Sequence, residues 1–364
     1  MSPRLRRNLA RTIPFAIIWV VTGWVFLAVE MAAMGGVDPT LPTAIRLDWS
    51  IFIFATIAVA FVGLLIGTLE MVVLAGLFSQ HSFAKKIIYK FLFYLAVMFI
   101  ITAITFPIAA SMETGLSLLD SQVWKRFEEF VFSITFASTM LQMGFSLILC
   151  LIYSGISENL GHSVLSNFFT GKYHSPKEEE RVFMFLDMKD STTAAEKLGH
   201  IRYFDLLKDY YADLSDSIID YEGEVYQYIG DEIVISWSLQ KGISKNNCVH
   251  CFFSMKADLQ KRASYYEDKY GFIPAFKAGL HFGHVTTGEI GALKKEIIFT
   301  GDILNTTARI QGLCNQYDSD LLMSAELYER LSLTGNFIIH PLGKAELKGK
   351  SELVELVSVS RVEG

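Results

Sequence analysis

At 364 residues, with 51% hydrophobic residues and a mean hydropathy of +0.34, the chain is long enough for two domains and too apolar for an ordinary water-soluble protein. A net charge of −6 and a pI near 5.8 leave no basic face of the kind a nucleic-acid binder presents, so no nucleic acid is expected as a partner. The four cysteines have no framework spacing, which excludes a disulfide scaffold and predicts reduced thiols.

Four apolar stretches come first, at roughly 13–34, 51–78, 90–111 and 130–154. Each reaches the ~20 residues that cross a ~30 Å hydrocarbon layer. They predict an all-α domain of four transmembrane helices over residues 1–154, set in the lipid bilayer of a plasma (inner) membrane. Arg4, Arg6, Arg7 and Arg11 precede the first stretch, and Lys85, Lys86 and Lys90 lie between the second and third. The other two loops are poorer, with Arg46 in one and Lys125 and Arg126 among Glu128 and Glu129 in the other. The positive-inside rule then places both termini in the cytoplasm. The first stretch is too long for a cleaved signal segment and reads as an anchor. With no histidine in the spans, a haem-binding bundle is not expected. Glu30 and Glu70 fall within the spans, where an ionisable group is costly and marks a candidate for membrane sensing. Glu30 sits near the outer end, where it can snorkel, and Glu70 lies deeper.

Residues 155–180 are rich in Gly, Ser, Pro and charge and sustain no heptads, so they read as a short cytoplasmic connector. The remaining 181–364 form a separate domain. It opens on an apolar run, Val182-Phe183-Met184-Phe185-Leu186, that ends at Asp187 and passes into Met188-Lys189-Asp190-Ser191-Thr192. An amphipathic helix follows over about 194–221, its stripe formed by Leu198, Ile201, Phe204, Leu207, Tyr211, Leu214 and Ile218. Two further strand-like runs, Val225 to Ile229 and Glu232 to Trp237, are joined at Gly230-Asp231, a short hairpin signal. The order strand, helix, strand, strand can bring Asp187 and Asp231 to one edge of a sheet. Paired carboxylates beside a Ser/Thr-rich turn with free N–H groups suit a divalent metal and a polyphosphate, and hence phosphoryl or nucleotidyl chemistry.

Cys248-Val249-His250-Cys251 has no second ligand pair at zinc spacing and is expected to pack in the core. A helix capped by Asp302 carries Asn305 and Arg309 four residues apart on one face, where an amide and a guanidinium can approach one ligand together. Lys348 stands beside Gly349, a pairing that can meet a phosphate.

Taken together, Phe185-Leu186-Asp187 with Ser191-Thr192, Ile229-Gly230-Asp231, Gly279-Leu280-His281-Phe282-Gly283 with Gly288, Gly301-Asp302 with Asn305 and Ala308-Arg309, and Leu347-Lys348-Gly349-Lys350 resemble the catalytic domain of class III nucleotidyl cyclases of the membrane-anchored bacterial type. The likeness covers about half of the chain and implies an α+β fold, ferredoxin-like or palm-type, behind the transmembrane domain. It further implies a membrane-anchored adenylate cyclase that converts ATP to cyclic AMP and pyrophosphate. The nucleoside triphosphate would be bound by a homodimer joined through the cyclase domains and the membrane helices, with shared active sites. Asp187, Asp231 and the Met188 carbonyl would hold two Mg²⁺ or Mn²⁺ ions. Asn305 and Arg309 would come from the other subunit to the reacting atoms, and Lys189, Asp190, Ser191, Thr192 and Lys348 would bind phosphate.

The base-recognition positions depart from that family. Where adenylate cyclases commonly carry a lysine and an aspartate or hydroxyl residue, this chain has Gln227 and Ile298. A glutamine amide both donates and accepts, so it can pair with adenine or guanine, and isoleucine adds only shape. A guanylate or dual-specificity cyclase therefore stands as an alternative. So do a diguanylate cyclase, through Ile229-Gly230-Asp231-Glu232-Ile233, and a silent cyclase-like membrane receptor.

Overall fold

The computed structural model describes residues 2–34, 49–73, 83–347 and 353–362. The chain divides into two compact units, Leu5–Ser166, and Asn167–Gly364 with Met1–Arg4.

The first unit is helical. Pro3–Met34, Trp49–Thr68 with the turn that continues it, Phe83–Thr114 and Ile134–Leu160 supply four segments of 23 to 27 residues that are long and apolar enough to cross a membrane. Their core gathers Phe15, Trp19, Val62, Ile66, Tyr94, Met98, Leu147 and Cys150. Gly63 and Gly67, one turn apart, meet the first helix so closely that a Cβ at Gly63 would fall 2.6 Å from the Ala16 Cα, the small-residue packing of apolar helices.

Two features of this unit are absent from the sequence reading. Lys125, Arg126, Glu128 and Glu129, expected in a loop, belong to an amphipathic helix, Ser121–Val131. Asp120 caps it by accepting the Gln122 N–H at 2.9 Å, and its Val123 and Phe130 pack on Phe106 and Ala110. Glu70 lies in a π-helical turn, Leu69–Val73, and is 5% exposed. Its Oε2 accepts from the Tyr94 hydroxyl at 2.7 Å, and its Oε1 pairs with the Lys90 ammonium. Lys90, read from the sequence as a loop charge, is inside the third of these helices. Glu30 lies in the first helix, and its side chain falls outside the described residues.

The second unit is an α+β domain on a mixed sheet. Its strands are β1 (Lys177–Met188), β2 (Glu224–Ile229), β3 (Glu232–Ser238), β4 (Phe276–Ile290), β5 (Glu296–Thr300), β6 (Leu321–Ser324), β7 (Phe337–Glu346) and β8 (Leu353–Arg361). The order is β2-β3-β1-β4-β6-β8-β7, with β5 paired to β4 beyond this path. Pairing is antiparallel except between β4 and β6. Strand alternation sorts β1 cleanly. Val182, Met184, Leu186 and Met188 enter the main core under the helices Ser191–Asp220 and Asn247–Lys261. Phe183 and Phe185 point to the opposite face, where they meet Val234, Val285 and Ile303 of the helix Asp302–Gly312.

The helix Ser191–Asp220 corrects one expectation. Gly199 adopts φ 72°, ψ 165° and breaks the helical path, a conformation that glycine takes readily. The apolar phase resets after it, so Leu206, Tyr210, Leu214 and Ile218 are buried while Ile201 and Phe204 are 81% and 60% exposed. Cys248 and Cys251 pack fully buried in the main core, and burial pushes the Cys248 thiol up to about 12.

Candidate active site

Asp187 lies on the Phe183–Phe185 face at the end of β1, its side chain 29% exposed. Register places Glu232 of β3 directly beside it on one side and Lys277 of β4 on the other. Asp231 reaches the same edge through a two-residue turn, because Ile229 pairs with Glu232 and only Gly230 and Asp231 lie between. Gly230 takes φ 63°, as the tight turn requires. The Tyr211 hydroxyl donates to the Gly230 carbonyl at 2.5 Å, and its ring lies 4.5 Å from that of Tyr228. The hairpin tip is thus tied to the long helix.

The electrostatics at this edge are unbalanced. Burial, and after it the Asp231 charge, raises the Asp187 carboxyl above its ordinary value. Burial with Asp187 and Asp231 pushes Glu232 up to about 6. Among the described residues two protein donors answer Asp187, both at Oδ2: the Gln311 amide at 3.2 Å and the Lys277 ammonium at 3.6 Å. Lys277 is itself held by Asn315 Oδ1 at 3.2 Å. Like charges gathered this closely favour a cation between them. Among the described residues no group of three or more His, Cys, Asp or Glu stands as a ready metal cage. The donor set offered by Asp187 and Asp231 is two hard carboxylates open on one side, which fits Mg²⁺ or Mn²⁺ completed by substrate oxygens and water. Met188, read from the sequence as lending its carbonyl, ends β1 with its side chain in the main core.

The helix Ser191–Asp220 starts three residues after Met188 with Asp190 in the left-handed region at φ 53°. The Ala194 N–H bonds the Asp190 carbonyl at 2.9 Å and opens the helical ladder. The N–H groups of Ser191 and Thr192 precede that ladder and face the turn, a natural anion site beside the carboxylates. Lys189 departs from the sequence reading. Its N–H donates to the Ala275 carbonyl at 2.8 Å, continuing the sheet, and its ammonium pairs with Asp320, which also holds Lys256. Of the sequence candidates for phosphate that the structure describes, Asp190, Ser191 and Thr192 stand at this turn. Lys348 lies outside the described residues.

Asn305 and Arg309 do share one face of Asp302–Gly312, but the cap is corrected. Gly301 is the N-cap, and Asp302 is the first helical residue. Ile303, Thr307 and Gln311 form the inner face, since Cβ atoms at Gly283 and Gly279 would meet Ile303, Thr307 and Gln311. At ~100° per residue, Arg309 lies about 200° from both Thr307 and Gln311. Asn305 is accordingly exposed and Arg309 half-buried, and neither side chain has a hydrogen-bond or ion-pair partner among the described residues. The Asn/Arg pair thus lies on the side of the helix turned away from β4, and neither residue contacts the carboxylates among the described residues.

Gln227 is exposed on β2, next to a bulge at Tyr226, and Ile298 is half-buried on β5. The Tyr226 and Phe299 rings meet at 4.8 Å, and the Phe299 N–H reaches the Tyr226 hydroxyl at 3.3 Å. The segments carrying both base-recognition positions are therefore adjacent.

Lys277 and Gln311 have no place in the sequence analysis, Tyr211 enters it only as part of a helix stripe and Glu232 only within the 229–233 motif and the strand-like run that it opens. Glu232 follows Asp231 directly and was in plain view. The other three reach the site through strand register and helix packing, for which no local signal exists.

A mixed α+β sheet presenting two carboxylates at one edge, beside an open helix N-terminus, defines a palm-type domain suited to metal-assisted nucleotide chemistry. The family model for the adenylate and guanylate cyclase catalytic domain matches residues 174–358, and the chain belongs to that family. It is 34% identical over 205 residues to adenylate cyclase 2 of Rhizobium meliloti (strain 1021), covering 56% of each chain. It is 28% identical over 183 residues to an adenylate cyclase of Anabaena cylindrica, covering 48% of this chain and 36% of that one. The chain thus spans about half or less of the length of these relatives. Among solved structures, a bacterial light-regulated adenylyl cyclase superposes with a TM-score of 0.52 at 23% identity, over 60% of this chain and 64% of the other, a likeness of fold.

Proposed function

We propose that the second unit is a metal-dependent cyclase that turns ATP into 3′,5′-cyclic AMP and pyrophosphate, working as a homodimer with shared sites. One observation carries this reading: Asp187 and Asp231 gather at the sheet edge, whereas Asn305 and Arg309 stand on the outer side of their helix with no hydrogen-bond or ion-pair partner among the described residues. A second copy set head to tail would bring its Asn305 and Arg309 to the carboxylates of the first. Exposed apolar side chains support such an interface, among them Ile201, Phe204, Tyr228 and Ile229.

Two divalent ions bound by Asp187 and Asp231 would activate the ribose 3′-hydroxyl and offset triphosphate charge. The chain's own residues position the reactants around that centre. N–H groups of Asp190, Ser191 and Thr192 receive phosphate oxygens, Lys277 adds positive charge beside Asp187, and Lys348 takes the terminal phosphates. Asn305 of the second copy orients the ribose. Arg309 of the second copy stabilises the charge that develops as the 3′-oxygen bonds to the α-phosphorus and the bond to pyrophosphate breaks, the hydroxyl proton departing to solvent. ATP is favoured by the adenylate cyclase relatives, because Gln227 and Ile298 do not select a base by themselves. The four apolar helices anchor this head in a plasma membrane with both termini in the cytoplasm, in keeping with the basic residues at 4–11 and 85–90.

The direct test is product identification with the purified full chain, ATP or GTP, and Mg²⁺ or Mn²⁺. Cyclic AMP is expected. A dinucleotide product would favour the diguanylate reading, and the absence of product under every condition would favour the silent receptor. Shared sites are tested by mixing Asp231→Ala with Arg309→Ala. Random pairing should restore about a quarter of wild-type activity, since half the dimers carry one intact site of two.

A further inference from the structure

The helix Asp302–Gly312 works on two sides. Its outer face carries Asn305 and Arg309. Its inner face lies directly on the β4 backbone, because a Cβ at Gly279 would fall 2.4 Å from the Gln311 N and 2.8 Å from the Thr307 carbonyl oxygen. This close approach lets the Gln311 side chain, 7% exposed, reach β1 and donate from Nε2 to Asp187 Oδ2 at 3.2 Å. A carboxylate only accepts, so the amide nitrogen is the atom that faces it. Lys277 addresses the same oxygen at 3.6 Å. Gln311 and Lys277 therefore both address Oδ2.

We propose that Gln311 is a positioning residue that ties each chain's Asp187 to the helix with which that chain serves the other active site. This inference rests on the shared-site reading given above. Gln311 fixes the carboxylate that holds metal in one site, and through the same side chain it fixes the inclination of the helix that delivers Arg309 to the other. A single residue, Ile310, separates Gln311 from Arg309 along an eleven-residue helix, so a change in Asp187's grip moves the guanidinium as part of one body. The two sites of the dimer are thereby coupled without any contact between their substrates.

The test uses Gln311→Met, which keeps the length and volume of the side chain and removes the donor. In the full chain without nucleotide, Mn²⁺ affinity measured by electron paramagnetic resonance should weaken on the order of 10-fold, as loss of a ligand-orienting hydrogen bond does. Gln311→Asn, which keeps an amide on a shorter stem, should fail to restore it. The melting profile serves as the control for folding.

The coupling is read in mixed dimers with one competent site, in which the chain bearing Arg309→Ala supplies the carboxylates and the chain bearing Asp231→Ala supplies Arg309. Placing Gln311→Met in the first chain should raise the half-saturating Mn²⁺ with kcat little changed. Placing it in the second should lower kcat at saturating Mn²⁺ with the metal requirement unchanged. The same effect from either placement, or none from both, would overturn the coupling. If the mixed dimer without Gln311→Met is itself inactive, the shared-site reading fails and takes the coupling with it. Unchanged Mn²⁺ affinity in the resonance measurement would independently remove the role at Asp187.

Discussion

Each unit of this chain gathers a cluster of charged side chains, one buried and one half-buried, and the two clusters are closed to different degrees. Around Glu70, the described charged and polar groups answer one another: Lys90 sits on one carboxylate oxygen and Tyr94 on the other, with Glu70 at 5% and Tyr94 at 0% exposure. Around Asp187, three acids (Asp187, Asp231 and Glu232) face one ammonium and one amide. A self-neutralised cluster is a packing element whose disruption costs stability. An acid-rich cluster is incomplete until a cation arrives, and the function of the chain is read from that deficit.

Substitutions separate the two kinds of cluster most sharply. Asp231→Ala should reduce cyclic AMP formation on the order of 10³-fold without lowering the melting temperature, because it removes a repelling charge from a turn. Residual activity above a tenth of wild type would count against the metal role. Lys90→Met should do the reverse. Leaving Glu70 buried without its cation should destabilise the helical unit by about 3–5 kcal/mol. A thermal melt in detergent that shows no change would mean that the Glu70 cluster is not closed in the way its contacts indicate.

What could be read ahead of the structure divides along the same line. Asp187 and Asp231 were legible because strand alternation and a Gly-Asp turn are local signals that place a carboxylate at a strand end. The four long apolar helices were legible from the length and composition of their stretches. Lys277 and Gln311 were not, since they meet Asp187 only through the β1–β4 register and the seating of a helix on Gly279. Lys90 escaped notice as a partner of Glu70 because twenty residues of sequence separate them. The stripe through Ile201 and Phe204 was misphased because periodicity assumes an unbroken helix, and Gly199 interrupts it. Gly63 and Gly67 carried a readable spacing that hydrophobicity obscured.

Base selection tests whether the incomplete cluster is joined to a specific pocket. Because Tyr226 and Phe299 bring β2 and β5 together, Gln227→Lys combined with Ile298→Asp should let the pocket address the adenine edge from two sides. The ratio of kcat/KM for ATP over GTP should rise by at least ~10-fold. An unchanged ratio would place the base elsewhere on the domain.

The smallest expected effect bears on the charge deficit itself. Glu232 is pushed up to about 6, chiefly by burial and then by Asp187 and Asp231, from an ordinary value of 4.5. The folded domain therefore holds this proton more tightly than the unfolded chain does. The stabilisation it contributes is complete below about 4.5 and is lost as pH rises through about 6. In the presence of a chelator, hydrogen-exchange protection of the β1 and β3 peptides should accordingly fall between these pH values, and Glu232→Gln should flatten the fall. Added Mn²⁺ should oppose it, because a cation favours the ionised carboxylates and its binding releases protons in that window. Protection that instead rose with pH in the metal-free protein would mean that the acids at the sheet edge are already neutralised by the chain, as Glu70 is, and the contrast between the two clusters would disappear.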